Sequence, residues 1–369
     1  MRILILANND VGLYKFRKEL IEEFLQQKNE VYISLPDGEL VRPFEEMGCT
    51  YINTPVDRRG INPKTDMGLF NRYRKMMKET NPDFVITYTI KPNIYGGIAA
   101  RLAKKKYAVN ITGLGTAFEK AGLIRTIVVT LYKFALKKAK VIFFENSANR
   151  DEMLSFKVCD EGQTVVLNGA GVNIDTYSYL PYPQENESGD EQVKFLFVGR
   201  VMKEKGIDEL FEAMKRLVSE KKQCFLDVVG PFEEDYKDKL EQCEKDGWLK
   251  YHGYQSDVRP FINNCHCFVL PSYHEGMANT NLECASSGRP VITSNIPGCK
   301  EAIINGVSGL LCDSKDVESL YQVMKRMVEM SVAERRAMGL AGRKHMEDVF
   351  AKKKVVEATI GYLYTNRLL

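Results

Sequence analysis

Two carboxylates, Glu275 and Glu283, stand with seven residues between them in Glu275-Gly276-Met277-Ala278-Asn279-Thr280-Asn281-Leu282-Glu283. An apolar run, Cys267-Phe268-Val269-Leu270, precedes them and ends in Pro271-Ser272-Tyr273-His274. The pattern predicts a strand, a loop bearing glycine, and a helix over 280–287. Backbone N–H groups at a helix N-terminus lack intrahelical partners and attract anions. Carboxylates beside such a site do not serve phosphate; they suit hydroxyl groups, which donate to ionised oxygens. A site for phosphate and hydroxyls together points to a nucleotide sugar. The plainer alternatives are a loop carboxylate capping the next helix (Glu275) and a helix-dipole contact worth about 0.3–1 kcal/mol (Glu283).

A second pair of groups is cationic. Arg200 and Lys205 follow Phe197-Val198-Gly199. Two fixed cations at the C-terminal end of a strand can neutralise a diphosphate and stabilise a departing one. Ordinary solvated surface charges are the alternative.

These stretches resemble retaining glycosyltransferases of family four (glycosyltransferase group 1), which carry a Glu-x7-Glu motif. Cys284-Ala285-Ser286-Ser287-Gly288-Arg289-Pro290-Val291-Ile292 resembles the continuation of that motif, as does Gly306-Val307-Ser308-Gly309-Leu310-Leu311. Phe197-Val198-Gly199-Arg200 with Lys205-Gly206 resembles the family's diphosphate clamp. The matches fall in the family's order over residues 165–315.

The resemblance implies roles. Arg200 and Lys205 would grip the donor's phosphates, and Glu283 the ribose hydroxyls. Glu275 would bind the sugar ring and help stabilise its positive anomeric centre. Backbone N–H groups of Gly276, Met277, Ala278, Asn279 and Thr280 would meet phosphate or sugar oxygens. Leu282 falls within the same donor-binding motif. Gly12 resembles the family's glycine loop, with a plain strand-to-helix turn as the alternative. Gly199 closes the strand before the clamp. Gly230 and Tyr254 match positions that surround the nucleobase.

Two further loops, Tyr88-Thr89-Ile90-Lys91-Pro92-Asn93-Ile94-Tyr95-Gly96 and Asn110-Ile111-Thr112-Gly113-Leu114-Gly115-Thr116-Ala117-Phe118, are more particular. They resemble a subgroup that builds capsule, O-antigen or glycan precursors on polyprenyl diphosphate. Lys91, Asn110 and Thr112 would then lie on the acceptor side. Lys91 could hold the acceptor's diphosphate, or be a surface lysine before a proline turn. Many family members place a histidine in one of these loops. Here the histidines are His252, His266, His274 and His345, none of them there. That fits a front-face mechanism in which the leaving phosphate oxygen takes the acceptor's proton. No Asp-x-Asp occurs in the chain. Metal-dependent transferases of the other common fold need such carboxylates for a divalent ion. Metal-independent catalysis with no cofactor is therefore expected, the nucleotide sugar being a co-substrate.

The elements that must position these residues alternate along the chain. Short apolar runs predict strands at 2–7, 31–35, 84–88, 107–111, 141–144 and 164–167. A second series follows at 194–198, 225–230, 249–252, 267–270 and 290–294. Unbroken apolar runs are expected of strands buried on both faces of a parallel sheet. Helical patterns lie between them at 13–27, 208–220, 236–246 and 317–330. This rhythm, occurring twice, predicts an α/β protein with two Rossmann-like doubly wound domains. The resemblance makes that the GT-B fold, the domains facing across a cleft. The boundaries expected are 1–175 for an acceptor-side domain and 176–349 for the nucleotide-sugar domain. By resemblance, a final helix at 350–369 returns to the first domain. The acidic, proline-bearing stretch 180–191 reads as an exposed segment near the boundary.

Composition sets the compartment and excludes some classes. The chain has 369 residues, 44% hydrophobic and 27% charged, which excludes a disordered chain and allows two cores. No apolar run reaches the roughly 18 residues of a membrane span, and the apolar N-terminal stretch is too short for a signal peptide. Nine scattered cysteines complete no zinc spacing and read as reduced cytosolic thiols. Net charge is +3, yet residues 1–150 hold 25 Lys+Arg against 15 Asp+Glu, and the remainder 27 against 34. The first half should therefore meet an anionic partner. Within it, 122–140 reads as an apolar helix with Arg125, Lys133, Lys137, Lys138 and Lys140, able to lie on an anionic bilayer. Packing on its own sheet is the alternative. The reading is a transferase at the inner face of the plasma membrane, moving a hexose or N-acetylhexosamine (N-acetylgalactosamine favoured) from a UDP-sugar to a lipid-linked glycan. Rivals are a nucleotide-sugar 2-epimerase of the same fold and a basic nucleic-acid-binding protein. Nucleic acid is not expected as a partner, because no motif interleaves aromatic and basic residues.

Overall fold

The computed structural model describes residues 1–57, 62–115, 118, 122–183, 192–366 and 368. It divides into two compact units, Met1–Ala170 with Lys353–Leu369, and Gly171–Lys352.

The first unit carries seven parallel strands: β1 (Arg2–Leu6), β2 (Glu30–Leu35), β3 (Thr50–Asn53), β4 (Phe84–Tyr88), β5 (Lys106–Ile111), β6 (Val141–Phe144) and β7 (Thr164–Val166). Their order is β3-β2-β1-β4-β5-β6-β7. Alternation along β1 assigns its side chains to two faces. Ile3 and Ile5 enter one core with Leu13, Leu20, Ile21 and Phe24 of the helix Asp10–Gln26. Leu4 and Leu6 enter another with Tyr73 and Met77 of the helix Pro63–Glu79. Helices thus cover both faces of the sheet, which is why its strands read as unbroken apolar runs. The helix Lys352–Thr365 packs into the first of these cores through Val355 and Leu363, and Tyr362 meets the ring of Phe143 edge-on at 5.9 Å.

The second unit carries six parallel strands: β8 (Val193–Val198), β9 (Cys224–Val229), β10 (Leu249–Tyr251), β11 (Cys267–Leu270), β12 (Val291–Ser294) and β13 (Gly309–Cys312). Their order is β10-β9-β8-β11-β12-β13. Both sheets reverse direction of strand succession beside their first strand, at β1/β4 and at β8/β11. Doubly wound sheets bind ligands at the C-terminal strand ends of such a switch point. The strands preceding Arg200 (β8) and Glu275 (β11) are neighbours there, paired through Cys267 with Phe195 and Phe268 with Leu196.

Two strands escape the sequence pattern. β3 is an edge strand whose four residues are exposed at its ends and half-buried between, so it shows no apolar run. β13 opens on Gly309, a residue depleted in strands. Helix limits shift by small steps: 13–27 becomes Asp10–Gln26, and 280–287 becomes Asn279–Ser286. All nine cysteines are free, and eight are buried.

Candidate functional site

The loops that follow β8 and β11 are tied to each other. After β8 the chain makes a tight turn over Lys203–Lys205 and enters the helix Ile207–Ser219 through Gly206, whose φ is 70°. A side chain at Gly206 would place its Cβ 2.1 Å from the carbonyl oxygen of Pro271, so only glycine fits both the left-handed backbone and the close approach. Tyr273 N–H donates to Glu204 O at 2.9 Å, and the Tyr273 hydroxyl to Glu209 Oε1 at 2.6 Å. These contacts bring Lys205 to Glu275. The Lys205 ammonium donates to Glu275 Oε1, the two side chains being 16% and 14% exposed. Ser272, fully buried, donates its hydroxyl to the same Oε1 at 2.7 Å. Both protein donors thus occupy one oxygen of Glu275. Its Oε2 has no hydrogen-bond partner among the described residues.

Past Glu275 the chain enters the helix Asn279–Ser286. Ala278 N–H donates to Gly298 O at 2.7 Å, holding the loop against the turn after β12. Asn279 and Thr280 lie in the helix's first turn, where N–H groups lack intrahelical acceptors. Asn279 Oδ1 is buried without a hydrogen-bond partner among the described residues. Asn281 is a scaffold residue: its amide donates to Thr293 Oγ1 at 2.9 Å, and that hydroxyl donates to Leu270 O. Met277, Ala278 and Leu282 are buried in the core of the unit, leaving chiefly their backbone for any ligand. Glu283 is half-buried one helical turn on, close enough to Tyr177 for its charge to act on that hydroxyl. Burial first, and then the negative charge of Glu283, push the Tyr177 hydroxyl above its ordinary range.

The ends of β8, β9 and β10 form the other wall of this region. Gly199 N–H donates to Val229 O at 2.9 Å and Gly230 N–H to Gly253 O at 2.8 Å. At Gly230 a Cβ would lie 1.8 Å from the Gly199 carbonyl oxygen, and φ is 145°. The glycine lets two strand ends run closer than any side chain would allow. Tyr251 donates its hydroxyl to Gly230 O at 2.9 Å and stacks on Phe232 with centroids 4.7 Å apart. Tyr254 is 63% exposed. Arg200 is exposed and lies 3.6 Å from Glu233 Oε2, too far for a tight ion pair.

The residues expected on the acceptor side are differently placed. Gly12 is not in a loop: the helix begins at Asp10, and the Gly12 N–H is capped by Asn9 Oδ1 at 2.5 Å. Lys91 is no surface lysine. It pairs with Asp66 at 2.7 Å, each side chain 14% exposed, and Tyr95 donates to the other oxygen of that carboxylate. Asn110 is buried in a network: Thr87 donates to Asn93 Oδ1 at 2.8 Å, and Asn93 to Asn110 O at 2.8 Å. Thr112 is half-buried just past β5. Beneath them Arg17 and Glu145 form a buried pair at 2.5 Å, and Arg17 lies over the Tyr88 ring. Of the expected loop residues, Thr116 and Ala117 fall outside the described set, and the helix expected at 122–140 spans Leu123–Leu136.

Sequence reasoning did not single out Ser272 for a role. Ser272 could have been found from its place two residues after β11 and three before Glu275.

Two doubly wound parallel α/β units are the architecture of the GT-B fold. Residues 181–345 match the family model for glycosyl transferases group 1, and residues 2–146 match that for glycosyl transferase 4-like domains. The chain belongs to the group 1 glycosyltransferases. It is 28% identical over 341 residues to a Campylobacter jejuni N,N'-diacetylbacillosaminyl-diphospho-undecaprenol alpha-1,3-N-acetylgalactosaminyltransferase, covering 89% of this chain and 90% of the relative. It is 25% identical over 355 residues to the Staphylococcus aureus capsular polysaccharide biosynthesis glycosyltransferase CapM, covering 91% and 90%. Among solved structures, Anabaena HepE in complex with UDP and glucose superposes with a TM-score of 0.79 at 15% identity, over 99% of both chains.

Proposed function

We propose that this glycosyltransferase takes a UDP-sugar and moves its hexose or N-acetylhexosamine, N-acetylgalactosamine among them, to a polyprenyl-diphosphate-linked glycan with retention of configuration. The observation that carries the reading is the Lys205–Glu275–Ser272 cluster beside a helix N-terminus. It presents a cation for phosphate and a carboxylate oxygen for a hydroxyl within one site. The relatives' diphospho-undecaprenol acceptor and the UDP complex of the structural neighbour support the choice of acceptor and donor.

In this reading Arg200 and Lys205 bind the diphosphate, with N–H groups around Asn279 and Thr280 adding donors. Glu275 Oε2 accepts from a hydroxyl of the donor sugar, and Glu283 accepts from the ribose. The bond between the anomeric carbon and the β-phosphate oxygen breaks, leaving positive charge on the sugar that Glu275 offsets. The acceptor oxygen bonds to the same face of that carbon. Its proton passes to the departing phosphate oxygen, whose negative charge Arg200 and Lys205 stabilise. These fixed cations do the work a divalent ion does elsewhere, so the reaction proceeds without metal.

The acceptor's lipid tail requires a membrane surface. The helix Leu123–Leu136 exposes Leu123, Ile124, Ile127 and Phe134, at 76%, 52%, 49% and 58%. Lys133, Lys137 and Lys138 are exposed at its C-terminal end. Only Tyr132, Ala135 and Leu136 of the helix are buried. Apolar insertion together with basic attraction suits peripheral binding to an anionic bilayer. No helix among the described residues is long and apolar enough to cross a membrane.

The test is transfer from a panel of labelled UDP-sugars to a polyprenyl-diphosphate-linked acceptor, with and without excess chelator. Stereochemistry of the product is read by the anomeric proton coupling. Transfer with retention and undiminished by chelator is expected. Inversion, or loss in chelator with rescue by magnesium or manganese, would overturn the mechanism. Epimerisation of the UDP-sugar without acceptor would overturn the function.

A further inference from the structure

Lys205 and Ser272 both donate to Glu275 Oε1, but the two donors differ in kind. An ammonium on a flexible stem is a compact charge with rotatable donors, so it neutralises a carboxylate without fixing its direction. A serine hydroxyl has a single donor one bond from Cβ, and here the whole residue is fully buried. The chain on either side of Ser272 is anchored. Before it, Leu270 O accepts from the Thr293 hydroxyl at 2.9 Å, which ties the end of β11 to β12. Pro271 O lies so close to Gly206 that a Cβ there would approach it to 2.1 Å. After it, Tyr273 N–H donates to Glu204 O at 2.9 Å, and the Tyr273 hydroxyl to Glu209 Oε1 at 2.6 Å. Ser272 therefore offers its Oγ from a stretch held on both sides, 2.7 Å from Glu275 Oε1.

We propose that Ser272 is a positioning residue for transfer: its hydroxyl sets the rotation of the Glu275 carboxylate so that Oε2 meets the donor sugar, while Lys205 supplies charge. The last torsion of a glutamate is broad and roughly two-fold, so a carboxylate held by an ammonium alone is free to tilt or exchange its oxygens. A directional donor from an anchored, buried residue removes that freedom before the sugar arrives and lowers the cost of ordering it. Both donors sit on Oε1, and Oε2 has no hydrogen-bond partner among the described residues. The oxygen that is fixed and the oxygen that receives are thus different atoms. UDP alone brings no sugar to Glu275, so the effect of Ser272 belongs to transfer and not to nucleotide binding. This inference rests on the assignment of Glu275 to the reacting sugar.

Ser272→Ala removes only the hydroxyl. UDP is titrated calorimetrically into wild type, Ser272→Ala, Glu275→Ala and the double variant. Transfer from the UDP-sugar that the wild type uses is followed in a single turnover at saturating acceptor. Ser272→Ala should transfer about tenfold more slowly, the scale of one hydrogen bond to a charged group, and bind UDP as wild type does. In the Glu275→Ala background the same change should cost nothing further, because the carboxylate it orients is gone. Unchanged transfer in Ser272→Ala overturns the inference. So does a tenfold loss that persists in the Glu275→Ala background, or UDP binding that falls together with transfer; either marks a structural role. Glu275→Ala separates the two levels. If it transfers as wild type does, the assignment of Glu275 to the sugar itself fails. If it is slowed about a hundredfold while Ser272→Ala is not slowed, only the role of Ser272 fails.

Discussion

At the ends of β8 and β11, Lys205 and Ser272 both reach one oxygen of Glu275 and leave its other oxygen unpaired by protein among the described residues. Arg200 stands exposed nearby. At the ends of β4, β5 and β6, in a sheet whose first six strands follow the same order, polar groups are instead consumed by one another. Thr87, Asn93 and Asn110 close a buried network, Lys91 is matched by Asp66, and Arg17 by Glu145. Identical topology therefore serves two ends. The Lys205–Glu275 pair of the second unit is as buried as Lys91–Asp66, but only one oxygen of its carboxylate is taken by described residues, whereas both oxygens of Asp66 are. The first unit spends its charge on making a stiff frame, and keeps its net positive excess on the surface, where the helix Leu123–Leu136 combines lysines with exposed apolar side chains. Under the proposed function, a donor needs a pre-formed electrostatic site, whereas a lipid-linked acceptor needs a platform and a bilayer.

That contrast can be broken by mutation, and the largest effect is expected in the frame. Glu145→Ala leaves the Arg17 guanidinium buried without its carboxylate, at a cost of about 3–5 kcal/mol. Denaturant unfolding should show that loss while UDP protection of the second unit persists. If stability is unchanged and transfer fails, the Arg17–Glu145 pair is functional machinery and the contrast is wrong. In the second unit, Arg200→Ala or Lys205→Ala should lower turnover by about a hundredfold, as for other single electrostatic groups. Arg200→Ala should do so with little change in melting temperature, because Arg200 is exposed. Lys205→Ala should also destabilise somewhat, since it unpairs Glu275. Full turnover in either variant would remove the clamp.

The smallest effect is at the surface. Each basic residue near an anionic bilayer contributes about 1 kcal/mol, and salt screens it. Glutamate at Lys133, Lys137 and Lys138 should reduce co-sedimentation with anionic vesicles and leave UDP affinity unchanged. Wild-type indifference to anionic vesicles at low salt would refute the platform role of the first unit.

The contrast is only half legible in the sequence. The strands beside the proposed donor site are continuous apolar runs, because helices cover both faces of each sheet, so Phe197–Arg200 and Cys267–Glu275 could be placed at strand ends without coordinates. The pairing of Lys205 with Glu275 could not, because it depends on a glycine turn lying against Pro271 O. Lys91 reads as an available cation in a loop, yet Asp66 on a separate helix neutralises it. Gly12 reads as a loop glycine, and the Asn9 cap draws it into a helix. Short-range pattern reveals buried backbone; partners brought together by loops carry no such pattern.

The proposed division of labour between the two carboxylates, Glu283 for the ribose and Glu275 for the reacting sugar, is open to a single paired experiment. UDP is titrated calorimetrically into Glu283→Gln and Glu275→Gln, and transfer rates are measured for both. Glu283→Gln should weaken UDP binding by about tenfold or more, the loss of a charged acceptor. Glu275→Gln should bind UDP as wild type does and transfer about a hundredfold more slowly. UDP binding lost in Glu275→Gln and kept in Glu283→Gln would refute that division.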